Sequence, residues 1–459
     1  MKSKATVTPE EIQKKQELKF KQMTETPIPK LICKLAVPTI ISMLITSIYN
    51  MADTFFVGRI NTQATAAVGI SFSVMAIIQA IGFFFGHGSG NFISRMLGKK
   101  DNEKAAGMAI YGLVMCFICG TLVSILGLLF LNPLSILLGS TSTILPYTKS
   151  YLGIIFLGTP FTMSSFVLNN QLRFQGRASM AMVGIVTGGI LNTILDPIMI
   201  FVLGLGIKGA ALATISGQII SFFILLYMVT REGSIILSFK NLQINQYYFI
   251  EVVRGGFPSL CRQGLGSIAT ICLNHSAGLY GDEAIAAMSV VNRIILFANS
   301  ALIGFGQGFQ PVVGYNYGAK LYKRVREGFY FCVKYAFVFL LIVSAFFFIF
   351  PGDCVGFFRD DPEVIRIGAE ALRYQSIMFP FASYIVIANM LLQSMGRARK
   401  ATIVAAARQG IFFIPLILVL PKIFGIVGVE ICQMISDFCA LLLTVPITSR
   451  VLKELKGTD

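Results

Sequence analysis

Charge is scarce in this sequence. Only 13% of its 459 residues are Asp, Glu, Lys or Arg, whereas soluble domains carry about 25%. That scarcity, beside a hydrophobic share of 55%, excludes a soluble globular chain. Apolar runs of about 20 residues recur along the whole length, each enough to cross a bilayer as a helix. Histidine is nearly missing. His87 and His275 are the only two, and both read as hydrogen-bonded polar residues, not metal ligands. The nine cysteines lie mostly inside apolar runs (Cys116, Cys119, Cys272, Cys332, Cys432, Cys439), where a thiol behaves as a small hydrophobe. They show no disulfide or metal spacing. Gly98-Lys99-Lys100 lacks the upstream loop that cradles phosphate in a P-loop. No hydrolase or kinase machinery is visible. The chain is therefore not expected to be an enzyme or to need a cofactor, and any work it does must draw on an ion gradient.

The net charge of +16 would suit nucleic acid, but its distribution argues against that partner. Basic residues gather near the termini and in alternate links, as in Arg95, Lys99, Lys100 and Lys104 and again in Lys320, Lys323, Arg324 and Arg326. The opposite links hold only Arg59, Lys149, Lys208, Arg359, Arg366 and Lys422. This is the positive-inside bias. It predicts a multi-pass protein of the plasma membrane, surrounded by lipid, with both ends cytoplasmic and an even number of spans. A monomer is expected. Residues 1–30 are polar and Lys-rich, without an apolar core or cleavage site, and do not read as a secretory signal. Thr8-Pro9-Glu10-Glu11 reads as a cap, Pro at the first helical position and acids in the first turn. A short helix against the cytoplasmic leaflet, or a frayed tail, is expected there.

Twelve spans follow, over 31–57, 64–94, 105–130, 145–172, 178–203, 208–230, 248–278, 284–314, 328–350, 364–395, 400–421 and 424–450. The fold class is an all-α integral membrane protein in two six-helix lobes. The N-lobe is 31–230, the cytoplasmic linker 231–247 and the C-lobe 248–450, with a tail at 451–459. The lobes repeat at an offset of 220 residues, which places Pro38 on Pro258, Ala64-Thr65-Ala66-Ala67 on Ala284-Ile285-Ala286-Ala287 and Pro160-Phe161 on Pro380-Phe381. Asn169 falls on Asn389 and Gly176-Arg177-Ala178 on Gly396-Arg397-Ala398. With one residue of slippage, Gly206-Ile207-Lys208-Gly209 meets Gly425-Ile426-Val427-Gly428. Six spans per repeat bring both lobes in from the same side, related by a pseudo-twofold along the membrane normal. Pro38, Pro197 and Pro258 are candidate bending points.

The repeat isolates a polar set found in one lobe only. Asp53 falls on Leu273, Asn192 on Phe412, Asp196 on Leu416 and Thr214 on Met434. Tyr49 and Asp53, like Asn192 and Asp196, stand four apart on one helix face, with Asn50 beside them and Tyr151 opening span four. A charge at mid-bilayer costs about 2.5–3.5 kcal/mol on insertion scales, so two acids there ask for a purpose. Carboxylates, an amide, a hydroxyl and a phenol suit a hard cation, which takes oxygen ligands. They equally suit a proton, because crowding and desolvation raise a carboxylate's affinity for one. The alternative is that the acids hydrogen-bond to backbone or to asparagine and simply hold helices together.

These features resemble the multidrug and toxic compound extrusion (MATE) transporters, in particular the bacterial MepA- and DinF-like branch. The resemblance lies in the 6+6 repeat, Tyr49-Asn50-Met51-Ala52-Asp53, Asn192 through Asp196-Pro197, and Gly304-Phe305-Gly306-Gln307-Gly308 running to Gly314 and Gly318-Ala319. It implies cation-coupled export of small organic, often cationic, compounds by alternating access. It also implies a Na⁺ or H⁺ site at Asp53, Asn192, Asp196 and Thr214, with Tyr49 and Tyr151 nearby. Members that place a coupling acid in span seven differ from this chain, whose span seven has Arg262, Gln263, Asn274 and His275 instead.

The C-lobe offers a second polar set. Glu430, Gln433 and Asp437 share one face of span twelve, and Arg262, Asn292, Arg293 and Arg408 lie in apolar runs. The expectation is that Arg293 or Arg408 pairs with Asp437 or Glu430, since buried charges come in pairs. The sharper alternative lines a substrate cleft with Glu430, Gln433, Asp437, Arg262, Gln263, Asn292 and Arg293, the acids attracting cations and the arginines admitting anionic or zwitterionic compounds. Rival functions are a lipid-linked saccharide flippase and, from another class, a non-transporting sensor or scaffold.

Overall fold

The computed structural model describes residues 9–232, 235 and 237–457. Thr8 of the expected cap lies outside them. Among the described residues every regular element is helical. A short α1 (Pro9–Glu25) precedes the first lobe, built of α2 (Ile28–Gly58), α3 (Thr62–Gly98), α4 (Asn102–Leu129), a brief α5 (Leu131–Leu137), α6 (Leu145–Phe174), α7 (Ala178–Pro197) and α8 (Ile207–Glu232). The second lobe has α9 (Gln246–Gly278), α10 (Asp282–Gly318), α11 (Tyr322–Ile349), a brief α12 (Pro351–Gly356), α13 (Pro362–Ser394), α14 (Ala398–Ala406), α15 (Phe413–Phe424) and α16 (Ile426–Lys456). α14 and α15 are one span interrupted by a wide turn, Ala407–Ile411. A similar wide turn, Ile198–Val202, follows Pro197 in the first lobe.

Eleven of the spans are long and apolar enough to cross a membrane. The twelfth, α9, has the length but carries Ser259, Arg262 and Gln263 among its apolar residues. The bundle is thus twelve membrane helices in two lobes. Side-chain caps start several of them where the sequence supplies Asn or Asp. The Asn61 carboxamide accepts the Ala64 N–H at 2.7 Å, and Asn245 accepts that of Tyr248 at 2.9 Å.

The sequence repeat is realised atom for atom at the turn between the fourth and fifth span of each lobe. Gly176 (φ +75°) and Gly396 (φ +78°) reverse the chain in the left-handed region that glycine tolerates. Across each turn an amide of the repeat ties the helices together. Asn169 donates to the Ala181 carbonyl at 2.8 Å, and Asn389 to that of Ala401 at 2.7 Å.

The lobes meet in the half of the bundle nearest α1. Thr39 donates to the Gly304 carbonyl at 2.6 Å, the Arg95 guanidinium pairs with Glu251 at 2.8 Å, and the Tyr315 hydroxyl reaches the Gln175 carbonyl at 3.4 Å. Glycines of α3 and α10 build this seam. Gly304 and Gly308 let α10 close on the backbone of α2, while Gly88 of α3 packs on Gly255 of α9. They do so by close backbone approach, and Gly314 and Gly318 of α10 pack on α3 in the same way.

Two expectations about the ends change. α1 docks on the protein itself. Met23 is fully buried, and Lys19 Nζ donates to the Gly176 carbonyl at 2.6 Å in the first lobe. On the second lobe Asn316 donates to the Met23 carbonyl at 3.1 Å, and Arg324 to that of Thr26 at 2.6 Å. The last helix also runs further than expected. α16 continues to Lys456, so most of the expected tail at 451–459 is helical.

Candidate cation site and cleft

Glycines set the geometry of the first lobe's interior. A β-carbon at Gly188 of α7 would lie 2.8 Å from the Gly217 carbonyl oxygen of α8. Only glycine lets the two helices cross so closely. One turn further on, the crossing brings Asn192 and Thr214 together, with the Asn192 amide 3.4 Å from the Thr214 hydroxyl. The same amide is 3.5 Å from an oxygen of Asp196. Gly189 leaves room for the ring of Tyr49 on α2, and half-buried Asp53 and exposed Asn50 line the same cavity as Tyr49.

The result is a set of oxygens without donors. Asp196 is fully buried and Asn192 nearly so. One oxygen of each, and one of Asp53, is buried with no hydrogen-bond partner. Among the described residues no lysine or arginine pairs with either acid. Asn192 joins the two acids, since it contacts Asp196 and lines one cavity with Asp53, and Tyr151 is fully buried. A cavity of about 110 Å³ adjoins them, lined by Tyr49, Asn50, Asp53, Asn192 and Thr214 among others. That is room for several waters. Asp196 and Tyr151 stand behind its wall. Gln218, Gln79 and Thr159 also line it and were not singled out from the sequence. Gln218, which faces Tyr49, could have been found, because it stands one helical turn after Thr214. Among the described residues no group of three or more His, Cys, Asp or Glu is placed to hold a metal ion.

In the second lobe some of the polar residues pair with one another. Arg408 pairs with Asp437, and Gln433 donates to the same carboxylate at 2.7 Å. Arg293 is exposed, Asn292 and Gln263 are half-buried, and His275 is exposed. Glu430 is buried on α16 with both carboxylate oxygens unpartnered. Half-buried Arg262 donates to Asn389 at 3.1 Å. His87 is fully buried between the Phe83 carbonyl and the Arg173 guanidinium, each at 3.2 Å.

Comparison with known proteins decides the family. The MatE family model matches twice, over residues 38–198 and 258–419. The chain belongs to the MatE family. The two matches begin on Pro38 and Pro258, the first pair of the sequence repeat. Among curated relatives, this MatE chain is 28% identical over 421 residues to the multidrug export protein MepA of Staphylococcus haemolyticus, covering 91% of this chain and 93% of that one. It is 28% identical over 420 residues to the multidrug export protein MepA of Staphylococcus aureus, with the same coverage. Among solved structures it is similar to an outward-facing multidrug resistance MATE family transporter of the MOP superfamily. The TM-score is 0.90 at 25% identity, over 95% of this chain and 98% of the other.

Proposed function

We propose that this MatE transporter is a cation-coupled antiporter of the plasma membrane that exports organic compounds, amphiphilic cations among them, by alternating access. The observation that carries the coupling is the group of donor-free oxygens on Asp53, Asn192 and Asp196. A buried carboxylate without a counter-charge is costly, and Na⁺ or H⁺ relieves that cost. The ion favours one arrangement of the first lobe and substrate the other, and export follows because each ligand binds the two arrangements with different affinity. The end of the bundle bearing α1 faces the cytoplasm in this reading, in keeping with its basic clusters. The seam there then seals the cytoplasmic side, which agrees with the likeness to an outward-facing relative.

The test is dye or drug efflux from vesicles under an imposed Na⁺ gradient and, separately, an imposed pH gradient. One of them should drive export against the substrate gradient. Export that ignores both would overturn the coupling.

A further inference from the structure

α1 stands apart from the twelve membrane helices, yet it is fastened to both lobes where they meet. The lobes touch there through the Tyr315 hydroxyl of α10 and the Gln175 carbonyl that follows α6, 3.4 Å apart. The next residue on each side is held by α1. Lys19 donates to the Gly176 carbonyl at 2.6 Å, and Asn316 donates to the Met23 carbonyl at 3.1 Å. Lys19 and Met23 are about one helical turn apart, so α1 bridges the seam beside the Gln175–Tyr315 contact. The Met23 side chain is fully buried and belongs to an apolar core shared by both lobes.

The two attachments differ in kind. On the second lobe the end of α1 is gripped by its backbone. Asn316 and Arg324 hold the Met23 and Thr26 carbonyls, and Arg324 also donates to the Asn316 side chain at 2.9 Å. On the first lobe the grip is by the tips of side chains. Besides Lys19, the Asn102 amide donates to Gln16 at 2.8 Å, and the Lys100 ammonium stands 4.6 Å from the Phe20 ring centroid. Contacts that must order long side chains are the weaker set. Thr26 and Pro27, outside both helices, supply a joint between α1 and α2.

We propose that α1 is a strap across the seam, which must let go of the first lobe, while staying on the second, before the α1 side can open. The strap rests on the alternating-access reading and deepens it by giving that opening a releasable lock. With the α1 side facing the cytoplasm, the strap governs how often the cleft is offered to substrate there.

Opening is read first, with no gradient, because it then depends neither on ion coupling nor on export. Thr39→Cys, buried where it meets Gly304, is placed in the full chain in a background lacking other cysteines. Its maleimide labelling rate is measured on purified protein. Met23→Ala should raise that rate about tenfold or more, and Lys19→Ala, at a half-buried position, about threefold. If Met23→Ala fails to fold, Lys19→Ala decides, and an unchanged rate in it overturns the strap. Tethering asks the opposite question. With Thr39 native, a cleavable bis-maleimide joining Gln16→Cys to Asn102→Cys pins α1 to the first lobe. Substrate exchange across vesicles should stop, and return when the linker is cut. The same linker between Thr26→Cys and Arg324→Cys, which pins α1 to the second lobe, should leave exchange running. Exchange that continues under the first tether, or stops under the second, overturns the proposal. Faster labelling in Lys19→Ala without substrate exchange in any untethered protein leaves the strap standing and sinks the export reading.

Discussion

Arg408 holds Asp437 through two hydrogen bonds, of 2.7 and 3.0 Å, where the first lobe has Gly188 against Gly217. The positions correspond at the repeat offset of 220 residues, to within the single slip near Gly206. One lobe fixes its fifth and sixth spans with an internal ion pair. The other fixes them with bare backbone, and so keeps its acids free of any internal cation.

The ion pair is buried, with side-chain exposures of 14% and 5%. Removing one partner should therefore be worse than removing both. Arg408→Leu alone should cost about 3–5 kcal/mol, and the Arg408→Leu/Asp437→Leu double variant far less. Thermal unfolding in detergent checks this. A double variant as unstable as the single one would contradict it.

The glycine crossing makes an opposite claim. Gly188→Val should wedge α7 off α8, draw Asn192 away from Thr214, and abolish gradient-driven efflux, at a stability cost of about 1–3 kcal/mol. Gly69→Ala, where an added carbon meets nothing within 4 Å, should leave efflux intact. Native-like efflux in Gly188→Val would mean that the crossing does not set the site.

α1 should respond to pH. Burial, with Arg177 and Lys34 nearby, lowers the Lys19 ammonium to about 8 from its ordinary 10.5. The undocked helix then holds this proton more tightly than the docked one, so docking is weakest below pH 8 and strengthens as pH rises from 8 towards 10.5. Hydrogen exchange in α1, corrected for intrinsic rates, should slow over that window. Lys19→Met should flatten the response, and a native profile that is already flat would remove Lys19 as its source.

Glu251→Gln leaves Arg95 buried at the seam without its carboxylate and should favour the arrangement open on the α1 side. Maleimide labelling of Thr39→Cys from that side, in a background lacking other cysteines, should then speed up by about tenfold, or roughly 1.4 kcal/mol of population shift. Unchanged labelling would show that the pair does not hold the seam.

Much of this was legible in the sequence because it depends on spacing along one helix. Asn192 and Asp196 had to share a face, and the repeated Asn169/Asn389 and Gly176/Gly396 had to mark equivalent turns. What was not legible depends on how helices rotate against one another. Arg408 and not Arg293 meets Asp437, and Arg408 lies in the wide turn Ala407–Ile411, which no residue pattern announces. Arg173 sits at a span end next to basic links, so it reads as one more positive-inside charge, yet it folds inward onto His87. The docking of α1 depends on contacts with residues more than 150 positions away, such as Gly176 and Asn316.

The coupling role of the first lobe's acids is tested most directly by Asp196→Asn and Asp53→Asn in reconstituted vesicles. Two fluxes are recorded, uphill efflux under the ion gradient that drives the native protein, and downhill substrate-for-substrate exchange with no gradient. Loss of the first with the second preserved is the expected result. Uphill efflux at the native rate in either variant would show that ion coupling lies elsewhere in the molecule.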